Sequence, residues 1–364
     1  MKITMQNNYV LTFLLLLPTL THPHNDAIAV ATINVGVTPA GLALTCNNRT
    51  AYVANNNNYG IGGEDSVSVL DLKHNLLKQT ITDISFDQPY TVTINNAGTR
   101  AYVTNSNSTT ITIINTANNQ VLGTINGFDG PSGMVITPNC RYAYVNNYGA
   151  GSQSGMTNTV RVVDLNTNTI VGQPIVVGQA PAALAMSPDG RFVYVINYVD
   201  GNPGTGTMSI IQTSNNAVID TIPGFSGPFG IAITPNGKYA FVTNFGSNNF
   251  APFGTTVSVV NLRTHEIVDT IEVGIQPSGI AISDDGRYAY VTNYNTLYAD
   301  GQNFTGLTAG QGTVSIIDIK KRKVIAPTIA VGQSPDAIAL SSNGKYAYVT
   351  NYTSNTVSVI KLDE

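Results

Sequence analysis

The sequence predicts an all-β chain folded as a seven-bladed β-propeller of four-stranded antiparallel blades, and three observations predict it. Charged residues make up only 10% of the 364 residues, against 34 Gly, 17 Pro and 40 Asn, so turn formers dominate and helix formers are scarce. A tetrapeptide of the Tyr-Val-Thr-Asn type recurs seven times at intervals of 42 to 58 residues, the mark of a repeat architecture. The two ends of the chain are complementary, because the seventh unit lacks a fourth strand and the N-terminus supplies one.

The first 26 residues stand apart. Lys2 precedes an apolar stretch from Val10 to Leu20, broken by Pro18 and too short to span a bilayer, which reads as a secretory signal peptide. Export to the periplasm, the medium or the cell surface is the expectation. Residues 27–364 then form one domain. Its repeats are Tyr52-Val53-Ala54-Asn55, Tyr102-Val103-Thr104-Asn105, Tyr144-Val145-Asn146-Asn147, Tyr194-Val195-Ile196-Asn197, Phe241-Val242-Thr243-Asn244, Tyr290-Val291-Thr292-Asn293 and Tyr348-Val349-Thr350-Asn351.

Each copy sits in the same unit. An apolar segment follows a proline, as at Pro277 to Ser283; a turn such as Asp284-Asp285-Gly286-Arg287 leads into the repeated strand; a loop of variable length precedes a third strand, and a polar turn a fourth. Period-2 alternation joined by tight turns makes an antiparallel meander, and seven meanders in a ring make a propeller. Residues 27–35, AIAVATINV, match the fourth-strand pattern EIVDTIEV, so the N-terminal strand is expected to complete the last blade and remove an open edge.

On these repeats the chain resembles the YVTN-repeat family of β-propellers, with Phe241 replacing Tyr once and Ala54, Asn146 and Ile196 departing at the third position. The resemblance implies a seven-bladed propeller, periplasmic or surface-exposed, related to lactonase-like and quinoprotein-like groups. It carries over no catalytic residues, since the defining motif is scaffold. After each proline, large side chains such as Ile280 and Ile282 alternate with small ones, which fills the wedge between blades. The Asn ending each motif is expected to bond its own turn backbone.

Function is then expected where the blades differ. The loops between second and third strands range from 4 to 19 residues and share one end of the channel, the top, with the connections into each inner strand. Tyr148, Tyr198, Phe245, Tyr294 and Tyr352 follow the motif Asn, and Tyr90 and Phe229 follow the inner-strand proline nearer the channel mouth. The top is also acidic, carrying Glu64, Asp65, Asp87, Asp129, Asp200, Asp300 and Asp336 with no Lys or Arg in its loops. Bases gather at the other end, one per blade from Arg49 to Lys345, where local pairing with Asp71, Asp164 and Asp318 accounts for them better than an anionic partner does.

An acidic, aromatic surface suits a protein partner or a neutral, carbohydrate-like or cationic ligand, and the formal charge of −4 speaks against nucleic acid. No cofactor is expected; the divalent ion the sequence leaves room for, Ca²⁺ or another, would use Asp129, Asp200, Asp300 and Asp336. No CxxCH segment or top-face His supports haem or a Ser-His-Asp triad, and Cys46 and Cys140, a blade apart, are expected to be free thiols. The favoured reading is an exported, non-catalytic binding propeller; the alternative is a metal-assisted hydrolase of lactonase type at the channel mouth.

Overall fold

The computed structural model describes residues 27–57, 63–149, 158–199, 203–247, 253–298, 307–325 and 327–362; the segment read as a signal peptide and the acids Asp200 and Asp300 lie outside them. These residues form seven antiparallel sheets around an axis. The first blade runs from the axis outward through Pro39–Leu44, Thr50–Asn55, Ser66–Asp71 and Leu76–Thr82. The next four repeat this order, beginning at Pro89, Pro131, Pro181 and Pro228. Each inner strand neighbours the next, and the strand of the seventh blade neighbours that of the first, so the ring closes.

Closure uses the expected device. Ile28–Asn34 pairs antiparallel with Thr356–Lys361 as the outer strand of blade seven, and Val35 donates its N–H to the Asn355 carbonyl at 3.0 Å. Blade six departs from the four continuous strands expected. Its outer strand is split into Lys323–Val324 and Ile329–Ala330, and Pro327, which has no N–H to give the ladder, lies in the gap. Blade six also carries a small hairpin, Thr296–Tyr298 with Leu307–Ala309, between its second and third strands. Among the described residues no helix is long and apolar enough to cross a membrane.

Packing between blades follows the alternation in the sequence. One core cluster joins Tyr290, Val314 and Ile316 of blade six to Ile338, Ala347 and Val349 of blade seven, and the other seams are filled the same way. The motif tyrosines are buried, and their hydroxyls reach across seams: Tyr52 donates to Asn119 Oδ1 and Tyr144 to Asn216 Oδ1, each at 2.6 Å.

The motif Asn does not bond its own turn. In all seven blades its Nδ2 donates instead to hydroxyls that open the third strand, at 2.9–3.1 Å: Asn55 to Ser66 and Ser68, Asn293 to Thr313 and Ser315, Asn351 to Thr356 and Ser358, and likewise elsewhere. Blade three makes one such bond, to Thr159, because Arg161 stands where the second hydroxyl would be. A buried amide needs a partner of fixed position, and hydroxyls at alternate positions of one strand face supply it. The entering chain packs on this Asn so closely that a Cβ at Gly274 would fall 2.4 Å from Asn293 Cγ.

At the bottom, several of the bases pair locally. Arg141 lies 3.8 Å from Asp164, Lys321 3.0 Å from Asp318 and Arg191 2.8 Å from Asp189, while Asp71 pairs with His74 at 2.8 Å. Arg141, Arg191 and Arg287 also stack on the aromatic residue that follows each of them. Cys46 and Cys140 are free thiols.

Candidate functional site

Two backbone devices build the channel mouth. Each inner strand begins with a proline, and the residue before it adopts a left-handed conformation: Thr38, Gln88, Gly130, Ala180, Gly227, Gln276 and Ser334 have φ between 48° and 56°. That geometry is costly for the five that are not glycine. It turns each carbonyl to accept, at 2.9–3.1 Å, the N–H of the residue after the motif Asn: Asn56, Ser106, Tyr148, Tyr198, Phe245, Tyr294 and Tyr352. The backbones of the five aromatics are thereby pinned beside the inner strands.

The second device is the third motif position. A bulge after each inner-strand proline leaves an N–H unpaired in the ladder. Thr292 Oγ1 accepts it from Gly279 at 2.7 Å and donates to the Asp336 carbonyl of the next blade at 2.9 Å. Thr104, Thr243 and Thr350 do the same toward Ser132, Ser278 and Ala40, and Asn146 uses its amide toward Pro181. Ala54 and Ile196 have no hydroxyl to offer. The blades they precede are the two that carry an aromatic residue after the proline, Tyr90 and Phe229; the other five carry Ala40, Ser132, Ala182, Ser278 and Asp336.

On this frame the side chains converge. Phe229, Phe245, Tyr294 and Tyr352 form an arc across blades five to seven, with successive ring centroids 5.3, 5.8 and 6.4 Å apart. Tyr90 faces it from blade two. Burial holds the Tyr90 hydroxyl well above the usual phenol range, and the neighbouring Asp336, Tyr148, Tyr352 and Tyr294 add to the effect. Burial raises Tyr148 as well.

Asp336 is the charged member of this group. It is part-buried, and Ser278 Oγ donates to its Oδ1 at 2.7 Å. Enclosure by protein pushes its pKa up to about 6, and the Ser278 hydrogen bond only partly opposes the rise. A carboxyl poised in this way can hold a proton, release it near neutrality or face a cation.

Not every predicted residue joins the group. Tyr198 is 5% exposed and donates its hydroxyl to the Gly246 carbonyl at 2.9 Å, so it stands in the wall between blades four and five rather than on a binding surface; Phe245, also 5% exposed, likewise lies in the wall and backs the rings of Phe229 and Tyr294. Asp129 lies in the connection between blades two and three, where its N–H donates to Asn147 Oδ1 at 3.1 Å. Among the described residues no three His, Cys, Asp or Glu side chains gather as a metal site. Ser278 is the member that inspection of the sequence misses; aligning the inner strands on their prolines places it in the same register as Asp336, one blade earlier.

Residues 210–364 match the family model described as lactonase, seven-bladed β-propeller. The chain is 30% identical over 144 residues to the seven-bladed β-propeller protein Rv1057 of Mycobacterium tuberculosis, covering 39% of this chain and 33% of that protein. It is 42% identical over 59 residues to the PE-PGRS family protein PE_PGRS18 of the same organism, covering 16% of this chain and 13% of that protein. The chain thus spans a third or less of the curated relatives it matches. Among solved structures, Kuenenia stuttgartiensis hydrazine synthase superposes with a TM-score of 0.71 at 20% identity, covering 89% of this chain and 95% of that one, a likeness of fold. Blade architecture and repeat pattern show that this chain folds as a seven-bladed β-propeller, the fold that the comparisons share.

Proposed function

We propose that this protein is an exported, non-catalytic binding propeller that receives a ligand or protein partner at the channel mouth. The observation that carries the reading is the convergence of Asp336, Ser278, Tyr90 and the arc from Phe229 to Tyr352 at one end of the axis. Aromatic residues with a few directed polar groups are the composition of ligand sites. The secretory pattern of residues 1–26 places the mouth outside the cytoplasm in this reading. Thermal melts against amines, polyols and divalent ions, each with and without EDTA, test it, because a ligand that favours the folded state raises the melting temperature. A shift with an organic ligand that Asp336→Asn or Tyr294→Leu removes is expected. No difference between wild type and these variants, either in the melts or in partner capture on immobilised protein, would overturn it.

The match of residues 210–364 to the lactonase model supports a second reading, a lactonase-type hydrolase at the same mouth. The described residues there bring one carboxylate, the Ser278 hydroxyl and tyrosine hydroxyls, with no group of three His, Cys, Asp or Glu among them, a donor set that does not fit a divalent ion. A melting shift specific to a divalent ion, reversed by EDTA and lost in Asp336→Asn, would favour this reading over the first.

A further inference from the structure

Taking the channel mouth as a ligand site, we infer that its ligand is a small organic monocation, an amine or substituted ammonium, seated between the Asp336 carboxylate and the aromatic side chains of Tyr90, Tyr294, Tyr352 and Phe229. Among the described residues Asp336 has no counter-charge. Asp336 is held from two directions by neutral donors, its Oδ1 by Ser278 Oγ at 2.7 Å and its carbonyl by Thr292 Oγ1 at 2.9 Å. The influences on its ionisation are burial and Ser278, with no basic group among them. The bases of the protein sit mainly in turns at the far end of the channel, several of them spent on local acids.

An enclosed carboxylate without a cationic partner is costly, and a ligand that brings the missing positive charge recovers most of that cost. The neighbours select the kind of cation. Tyr90 lies within electrostatic reach of Asp336, Tyr294 and Tyr352, and electron-rich rings gathered about one carboxylate favour a diffuse, weakly hydrated ammonium. A compact divalent ion needs several oxygen ligands that the described residues do not bring together here. Anions are repelled by Asp336, and polyols gain only hydrogen bonds from its carboxylate, with no positive charge to offset its burial.

Calorimetric titration of the purified protein with choline, its neutral isostere 3,3-dimethylbutan-1-ol and myo-inositol tests the inference. Choline is expected to bind at least about tenfold more tightly than the isostere, and Asp336→Asn and Tyr294→Leu are each expected to weaken it about tenfold or more. Circular dichroism confirms that the variants are folded. The inference is overturned if the isostere binds as tightly as choline, if choline binding survives Asp336→Asn, or if choline does not bind at up to about 10 mM. Inositol or the isostere binding as tightly as choline, and in a manner that depends on Tyr294, would overturn the charge preference while sustaining the mouth as a ligand site. Failure of the site itself is read separately, from the melts and partner capture above.

Discussion

Ser278 Oγ donates to Asp336 Oδ1 at 2.7 Å across the seam between blades six and seven, so the carboxylate at the channel mouth is oriented by the neighbouring blade rather than by its own. Both residues directly follow an inner-strand proline, and the Thr292 hydroxyl ties the Asp336 backbone to the same neighbour.

The first prediction concerns pH. The folded protein holds the Asp336 proton more tightly than the unfolded chain does, with a pKa of about 6 against about 4 for a solvated aspartate. Its contribution is therefore favourable at low pH and is lost as pH rises from about 4 through about 6, an effect of the order of 2 kcal/mol. Asp71, Asp189, Asp220 and Asp318 are shifted downward and act in the opposite sense, so the comparison must be with Asp336→Asn. Urea melts at pH 4.5 and pH 8 should show wild type losing ground relative to the variant at the higher pH; equal behaviour at both would contradict the assignment.

The interblade staples give a second prediction. Thr350 Oγ1 accepts from Ala337 N–H at 2.9 Å and donates to the Ala40 carbonyl at 2.6 Å, joining the last blade to the first. Thr350→Val keeps the shape and strands both backbone groups, so a loss of about 2–4 kcal/mol is expected in chemical denaturation. A loss no larger than that of an exposed Thr→Val control would remove the staple from the account.

Much of this was legible in the sequence and some was not. Seven repeats and the match of residues 27–35 to a fourth strand lead directly to the ring and its closure, because strand periodicity and turn residues are local signals. The aromatics after each motif Asn are legible as a set, yet their fates diverge: Tyr294 and Tyr352 reach the mouth, whereas the hydroxyl of Tyr198 is taken by Gly246, a contact between blades that no local pattern encodes. The partner of the motif Asn is misjudged for a related reason. Its alternate third-strand hydroxyls lie 5 to 22 residues away, across a loop whose length differs in most blades. The split outer strand of blade six is signalled by Pro327, whose consequence the repeat pattern obscures.

Close packing on the motif Asn yields a third prediction. Gly274→Ala would place a Cβ 2.4 Å from Asn293 Cγ and 2.7 Å from its Cβ, and the Gly274 N–H already donates to Asn293 Oδ1 at 3.0 Å. The amide cannot retreat without breaking its bonds to Thr313 and Ser315. A destabilisation of about 2–3 kcal/mol is expected, against about 1 kcal/mol for Gly98→Ser, a turn position with open space around it where only the left-handed φ of 68° is penalised. Similar melting temperatures for the two variants would contradict this reading.

Deletion of Ile28–Asn34 tests closure. Without it, Thr356–Lys361 becomes an open edge strand, and light scattering should report association together with a lowered melting temperature. A monomeric deletion variant of unchanged stability would show that the ring does not depend on its N-terminal strand.

Asp336 is an enclosed carboxyl at an aromatic channel mouth, with no cationic partner among the described residues. Titration of its side-chain ¹³C resonance, assigned by its absence in Asp336→Asn, tests this most directly. A midpoint of about 6 is expected; a midpoint near 4, that of a solvated aspartate, would contradict the account.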